Sequence, residues 1–202
     1  MPNAYAEIAF TPNVRAEQVR NGSADAYARV LSPERDGGAV LSPREAAFLE
    51  ARDGIVQATV SETGWPYVQF RGGAPGFLRV IDPQTIAYAD YRGNRQYISL
   101  GNLRGNDRVS ILAIDYARRE RLKLWGHARV TEDAGVIDYL SGPDAARAER
   151  AIVIRIAAFD WNCPQHIPVR RTDAEHGEEL LRLRARVAEL ETELSSTPIP
   201  AG

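Results

Sequence analysis

Between Ile55 and Trp161 the chain keeps returning to a two-residue period, and that alternation limits what it can fold into more than any other feature. "IVQATVSETGWPYVQFRGG" reads as two β-branched runs joined by a turn at Thr63 and Gly64. "FLRVIDPQTIAYAD" reads as two more, joined at Asp82 and Pro83. These are hairpin signals. "DRVSILAIDY" is almost continuously apolar, as a strand covered on both faces would be. "RERLKLWGHARV" puts Leu122, Leu124, Gly126, Ala128 and Val130 on one face and Lys123, Trp125, His127 and Arg129 on the other. "AIVIRIAAFDW" supplies a last run. Six or seven short strands with few helices predict a mostly β fold with peripheral helices, arranged as an antiparallel barrel.

The helical signals lie outside this region. "LSPREAAFLEARDG" carries a capping box at Ser42 and Glu45, with Pro43 in the first turn and Gly54 after the end, predicting a helix from Pro43 to Arg52. "TPNVRAEQVRNG" and "SADAYARV" predict shorter turns of helix in an N-terminal arm over residues 1–41. A polar helix is expected from Asp133 to Leu140, with another turn after Pro143. The barrel domain then spans 42–170. Over 171–202 the pattern changes again: Leu180, Leu183, Val187, Leu190 and Leu194 recur at alternating spacings of three and four, with Arg and Glu between them. That seam fits either docking on the chain's own domain or self-association. "SSTPIPAG" is expected to be disordered.

With 44% hydrophobic and 26% charged residues the chain can bury a sizeable core. A net charge of -2 provides no overall basic field, so neither a nucleic-acid nor a membrane-surface role has electrostatic support, and any anion site must be local. No apolar run is long enough to span a bilayer, and the first residues lack a secretory pattern, so a cytoplasmic location is expected. One cysteine excludes an internal disulfide, and one Cys with three scattered His argues against a zinc cluster.

The most polar stretch of the strand region is "DYRGNRQYISLGNL". Gly93 and Asn94 permit a sharp turn after a strand, the next residues can open a helix, and Arg92 and Arg95 flank its start. Helix N–H groups beside guanidinium forks favour a phosphate, and Gln96 and Ser99 add neutral donors. "VQFRGGAPGFL" ends a strand on Arg71 with glycines that let backbone approach a flat ligand. Lys123 on its strand face is a second candidate cation. "FDWNCPQHIPVR" gathers Trp161, Asn162, Gln165 and His166 in a polar loop, in which Cys163 has no feature that would activate it.

Taken together, "GWPYVQFRGG", "PGFL", "DYRGNRQYISLGNL", "DRVSILAIDYARRERLKLWGHARV" and "FDWNCPQHI" resemble the pyridoxamine 5'-phosphate oxidase-like proteins, in the oxidase-related branch, from about Phe48 to Pro168. The resemblance implies a six-stranded FMN-binding split β-barrel that forms a homodimer with two FMN sites at the subunit interface. It places Gln69, Phe70 and Arg71 beside the flavin ring. Arg95, Gln96 and Ser99 fall at the phosphate, with Tyr91 and Asn94 close by. Lys123 matches a strand position that reaches the cofactor, and Trp161, Asn162, Gln165 and His166 match a late loop over the flavin, contributed by the partner subunit. The chain lacks the short basic C-terminal motif that holds pyridoxal phosphate in the vitamin-pathway enzymes, so the implied activity is that of an FMN-dependent oxidoreductase with an unidentified small-molecule substrate or electron donor. A non-catalytic flavin- or haem-binding module on the same barrel is the alternative.

Overall fold

The computed structural model describes residues 3–31, 37–141 and 148–196, apart from the side chains of residues 175 and 193–196. Its centre is one antiparallel sheet. The strands are β1 (Gly54–Val60), β2 (Pro66–Gly72), β3 (Arg79–Asp82), β4 (Thr85–Tyr91), β5 (Arg108–Asp115), β6 (Glu120–Thr131) and β7 (Ala148–Trp161). They lie in the order β2-β1-β5-β6-β7-β4-β3. The sheet is therefore seven-stranded and open, not a closed barrel of six, because β2 and the four-residue β3 remain as unpaired edges. It is nevertheless curled: Tyr88 on β4 donates to Gln57 Oε1 on β1 at 2.8 Å, across the interior from the far side of the strand order.

Both predicted hairpins form, with Val60 opposite Pro66 and Asp82 opposite Thr85. The core follows the two-residue period, with Ile55, Ile86, Tyr88, Ile111, Ala113, Leu122, Leu124, Ile152 and Ile154 all buried. Two expectations change. β5 is covered on one face only: Val109, Ile111 and Ala113 are buried, whereas Ser110, Leu112 and Ile114 are half-exposed. On β6 the buried face holds through Ala128 and lapses at Val130, which is 40% exposed. β5 begins at Arg108, opposite His127, so past that point β6 has a strand neighbour on one side alone. Gly126 sits at a β-bulge, where a Cβ would stand 2.5 Å from the Arg155 carbonyl oxygen.

The helices are α1 (Ala4–Ala9), α2 (Pro12–Arg20), α3 (Ala24–Ala28) with a 3₁₀ turn at Arg29–Leu31, α4 (Pro43–Glu50), α5 (Ile98–Gly105), α6 (Ala134–Ser141) and α7 (Asp173–Ser196). The turn expected after Pro143 and the end from Thr197 onward lie outside the described residues. α1 was not foreseen; Asn3 caps it, accepting from the Ala6 amide at 3.1 Å. No helix among the described residues is long and apolar enough to cross a membrane. The chain divides into two compact units, Met1–Asp115 with Glu120–Pro164, and Tyr116–Arg119 with Gln165–Gly202.

α4 carries the predicted capping box. Glu45 is buried, accepts from the Ser42 amide at 3.0 Å and from Trp161 Nε1 at 2.7 Å, and also accepts from the Ser42 hydroxyl. Burial pushes its carboxyl up, but these donors outweigh that and hold it below the ordinary 4.5. A folded-state pKa below the unfolded value contributes stability that is present above the unfolded pKa and lost as pH falls through the folded one. Stability should therefore decline on acidification below 4.5. In Glu45→Gln that component of the decline should be absent, as measured by thermal melts between neutral pH and pH about 3.

Candidate functional site

The segment after β4 turns by an unusual route. Gly93, Arg95 and Tyr97 all have positive φ, at 49°, 61° and 54°. Every second residue is thus left-handed, a tight turn of the general kind in which backbone N–H groups can gather at an anion. For Arg95 and Tyr97 this costs of order 1 kcal/mol or more each, which surrounding contacts must hold in place. Asn94 Oδ1 accepts from the Gln96 amide at 3.2 Å. α5 follows at once, and Tyr97 at its N-cap position makes no side-chain cap, so the first turn of N–H groups is left to other acceptors.

Two ties from the start of β7 hold the loop. Arg92 pairs with Glu149 at 3.5 Å, and the Arg150 guanidinium lies 5.3 Å from the centre of the Tyr97 ring. Arg150 also reaches Asp90 at 3.7 Å, and Asp90 pairs with Arg71 of β2 at 3.1 Å. Burial pushes the Asp90 carboxyl above the usual range, against the opposing pull of Arg71 and Arg150. Arg71 Nε and Gln57 Nε2 are buried without a hydrogen-bond partner.

The loop, Arg71 and Asp90 line a cavity of about 250 Å³ between β2, the end of β4 and the start of α5. Of the residues that the resemblance assigns to the cofactor, Gln69, Arg71, Tyr91, Asn94, Arg95, Gln96 and Ser99 meet here, together with Arg92 and Gly93. Of the cavity's arginines, Arg71 and Arg92 already have carboxylate partners, whereas Arg95 makes no ion pair among the described residues. The reading missed Tyr67, Asp90 and Tyr97. Tyr67 stands two residues before Gln69 on the same face of β2 and donates to Gln69 Oε1 at 2.5 Å, so the strand period alone could have found it.

The remaining candidates lie elsewhere. Phe70 points to the opposite face of β2 from Gln69 and Arg71, as strand parity requires, and its ring covers Gly54 so closely that a Cβ there would stand 2.3 Å away. Lys123 pairs with Asp160 at 2.9 Å and sits 4.6 Å from the centre of the Tyr5 ring, which itself stacks on Trp125. Trp161 is held by Glu45, meets Phe48 edge-on at 4.7 Å and lies under the Arg44 guanidinium. The Asn162 carboxamide, oriented with its oxygen toward Arg121, accepts from Nε at 2.6 Å. Gln165 and His166 are exposed and belong to the second compact unit, and His166 is left-handed with φ of 64°.

A family model described as pyridoxamine 5'-phosphate oxidase matches residues 41–168, well over half of the chain. The chain belongs to that family. The matched span contains the whole sheet and every residue of the cavity. No curated protein sequence matches the chain. Among solved structures, it is similar to HupZ of Group A Streptococcus, at 16% identity over 65% of this chain and 100% of that one, with a TM-score of 0.50. A putative pyridoxamine 5'-phosphate oxidase from Lactobacillus delbrueckii shares 21% identity over 60% of this chain and 94% of that one, with a TM-score of 0.48. An FMN-binding protein from Syntrophomonas wolfei shares 13% over 73% and 97%, with a TM-score of 0.46. At such identities the likeness to HupZ speaks for the fold alone.

Proposed function

We propose that this member of the pyridoxamine 5'-phosphate oxidase family binds FMN and uses it as an oxidoreductase on a small substrate, with the cavity behind β2 holding the phosphate end. The observation that carries the reading is the convergence of three alternate left-handed residues and an ion-pair-free Arg95 on one small polar cavity. Arg95 would give the charge-assisted contacts, Asn94, Gln96 and Ser99 the neutral ones, and the α5 N-terminus its N–H groups. Arg71, which also lines the cavity, brings a second guanidinium to it. When bound, the flavin supplies the transfer of electrons; the chain binds and orients it. The test is a paired fluorescence titration with FMN and riboflavin. FMN should bind at least about a hundredfold more tightly, the worth of two or more charge-assisted hydrogen bonds to phosphate. Equal affinities would remove the phosphate from this cavity.

A homodimer is part of the same reading. Register aligns Phe70, Val56 and Leu112 in one row across β2, β1 and β5, beside Val68 and Ala58, on the face that β5 leaves half-exposed. Phe70 and Val68 are 64% and 58% exposed, so covering them with a second copy removes apolar surface from water. In a chain carrying Cys163→Ser, a Val68→Cys thiol should resist labelling at concentrations where the dimer forms and react freely on dilution. Labelling at one rate throughout would contradict it.

A further inference from the structure

We propose that α7 pairs with the α7 of a second copy of this chain as a parallel, in-register, two-stranded coiled coil. The inference stands on the helix alone and does not depend on the flavin reading. α7 runs for 24 residues. Leu180, Leu183, Val187 and Leu190 form one stripe along it, and each is 40% to 58% exposed. In the sequence Leu194 continues the spacing. Leu180, Val187 and Leu194 take the a positions of a heptad, and Leu183 and Leu190 the d positions.

The flanking charges name the occupant. The g positions are Glu179 and Arg186, and the e positions are Arg184 and Glu191. In a parallel pair each g residue faces the e residue five further along the other helix. Glu179 then meets Arg184, Arg186 meets Glu191, and both pairs occur twice by symmetry. All four contacts are attractive while all five seam residues find their own counterparts. The antiparallel alternatives do less. The one that pairs Leu180 with Leu190 and Leu183 with Val187 sets Arg184 against Arg184, Arg186 against Arg186 and Glu179 against Glu193. The one that pairs Leu183 with Leu194 and Val187 with Leu190 brings opposite charges together but leaves Leu180 without a partner.

Two of these charged residues have ion pairs within the chain. Arg186 pairs with Glu189 on its own helix at 2.8 Å, and Glu179 with Arg171. The Arg186–Glu189 pair is largely exposed, so exchanging it for an interhelical partner costs little. A seam of little more than two heptads is short, and a second contact between the same two chains would raise its effective concentration.

The test uses the full chain with the exposed Cys163 replaced by serine. Leu180→Cys is then oxidised in a glutathione buffer. A parallel pair brings the two thiols face to face, and most of the chain should become a covalent dimer. In either antiparallel register they lie about ten or more residues apart along the helix, roughly 15 Å or more, and cannot join. Ala185→Cys, at an f position on the far side of the helix, should cross-link at least about tenfold less. Reversing both Arg184 and Arg186 to Glu should reduce the Leu180→Cys dimer by about tenfold, and adding Glu179→Arg with Glu191→Arg should restore it. The proposal fails if Leu180→Cys stays single-chained, if Ala185→Cys joins as readily, or if charge reversal changes nothing. It fails equally if Leu183→Cys and Leu194→Cys chains cross-link only with each other, the mark of an antiparallel pair.

Discussion

Replacing Arg95 with alanine should weaken FMN binding by about 2 kcal/mol, roughly thirtyfold, the worth of a charge-assisted contact to phosphate. Among the cavity's arginines it is the one without an ion pair among the described residues, so its guanidinium is free to serve a ligand, whereas Arg71 and Arg92 would first have to leave Asp90 and Glu149. The same position separates binding from folding. Arg95 is left-handed, with φ of 61°, and alanine inherits that strain, so Arg95→Ala should melt at nearly the native temperature. Arg95→Gly removes the strain, by about 1 kcal/mol or more, against a similar entropic cost of glycine in the unfolded chain. It should be at least as stable as the native protein while losing the same affinity. Titration and thermal melts on both variants check this; a variant that binds FMN normally would take Arg95 out of the site.

Asp90→Ala should be the most destabilising single change near the cavity. Asp90 is 6% exposed and lies between Arg71 at 3.1 Å and Arg150 at 3.7 Å. Its removal leaves the Arg71 guanidinium, already short of one acceptor at Nε, without a counter-charge, and takes one from Arg150. Breaking a buried pair in this way costs about 3–5 kcal/mol. For a chain of this size that is a fall in melting temperature of about 10 °C. Asp90→Leu combined with Arg71→Leu should recover a large part of the loss, because the orphaned charge goes with its partner. If Asp90→Ala melts within a degree or two of the native protein, the pair is not holding β2 and β4 together.

The parts of this molecule that could be read from the sequence are those fixed by neighbours along the chain. The capping box of α4 needs only Ser42 and Glu45, and the two hairpins need only a strand period interrupted by turn residues. The loop after β4 was legible for the same reason: Gly93, Asn94, Arg95, Gln96 and Ser99 are consecutive or nearly so, and they face one cavity. What was not legible depends on distant partners. The partners of Lys123 are Tyr5 and Asp160, which come to it from the N-terminal arm and from β7. The setting of Trp161 is another case, since its indole N–H is satisfied by Glu45, on a helix more than a hundred residues earlier. Phe70 is a different case. It was grouped with Gln69 and Arg71 although alternate strand residues face opposite ways, so parity alone separates it from them. Asp90 passed as the end of a strand because nothing local marks it; its role comes from Arg71 and Arg150, which reach it from β2 and β7.

The most direct measurement is the visible absorption spectrum of the purified protein, with the released chromophore identified by chromatography and the apoprotein titrated with FMN. A two-banded flavin spectrum with released FMN, or saturable FMN binding that Arg95→Ala weakens, is the predicted result. A haem band, or a colourless protein that takes up no FMN, would contradict the account and leave the cavity behind β2 without the role proposed for it.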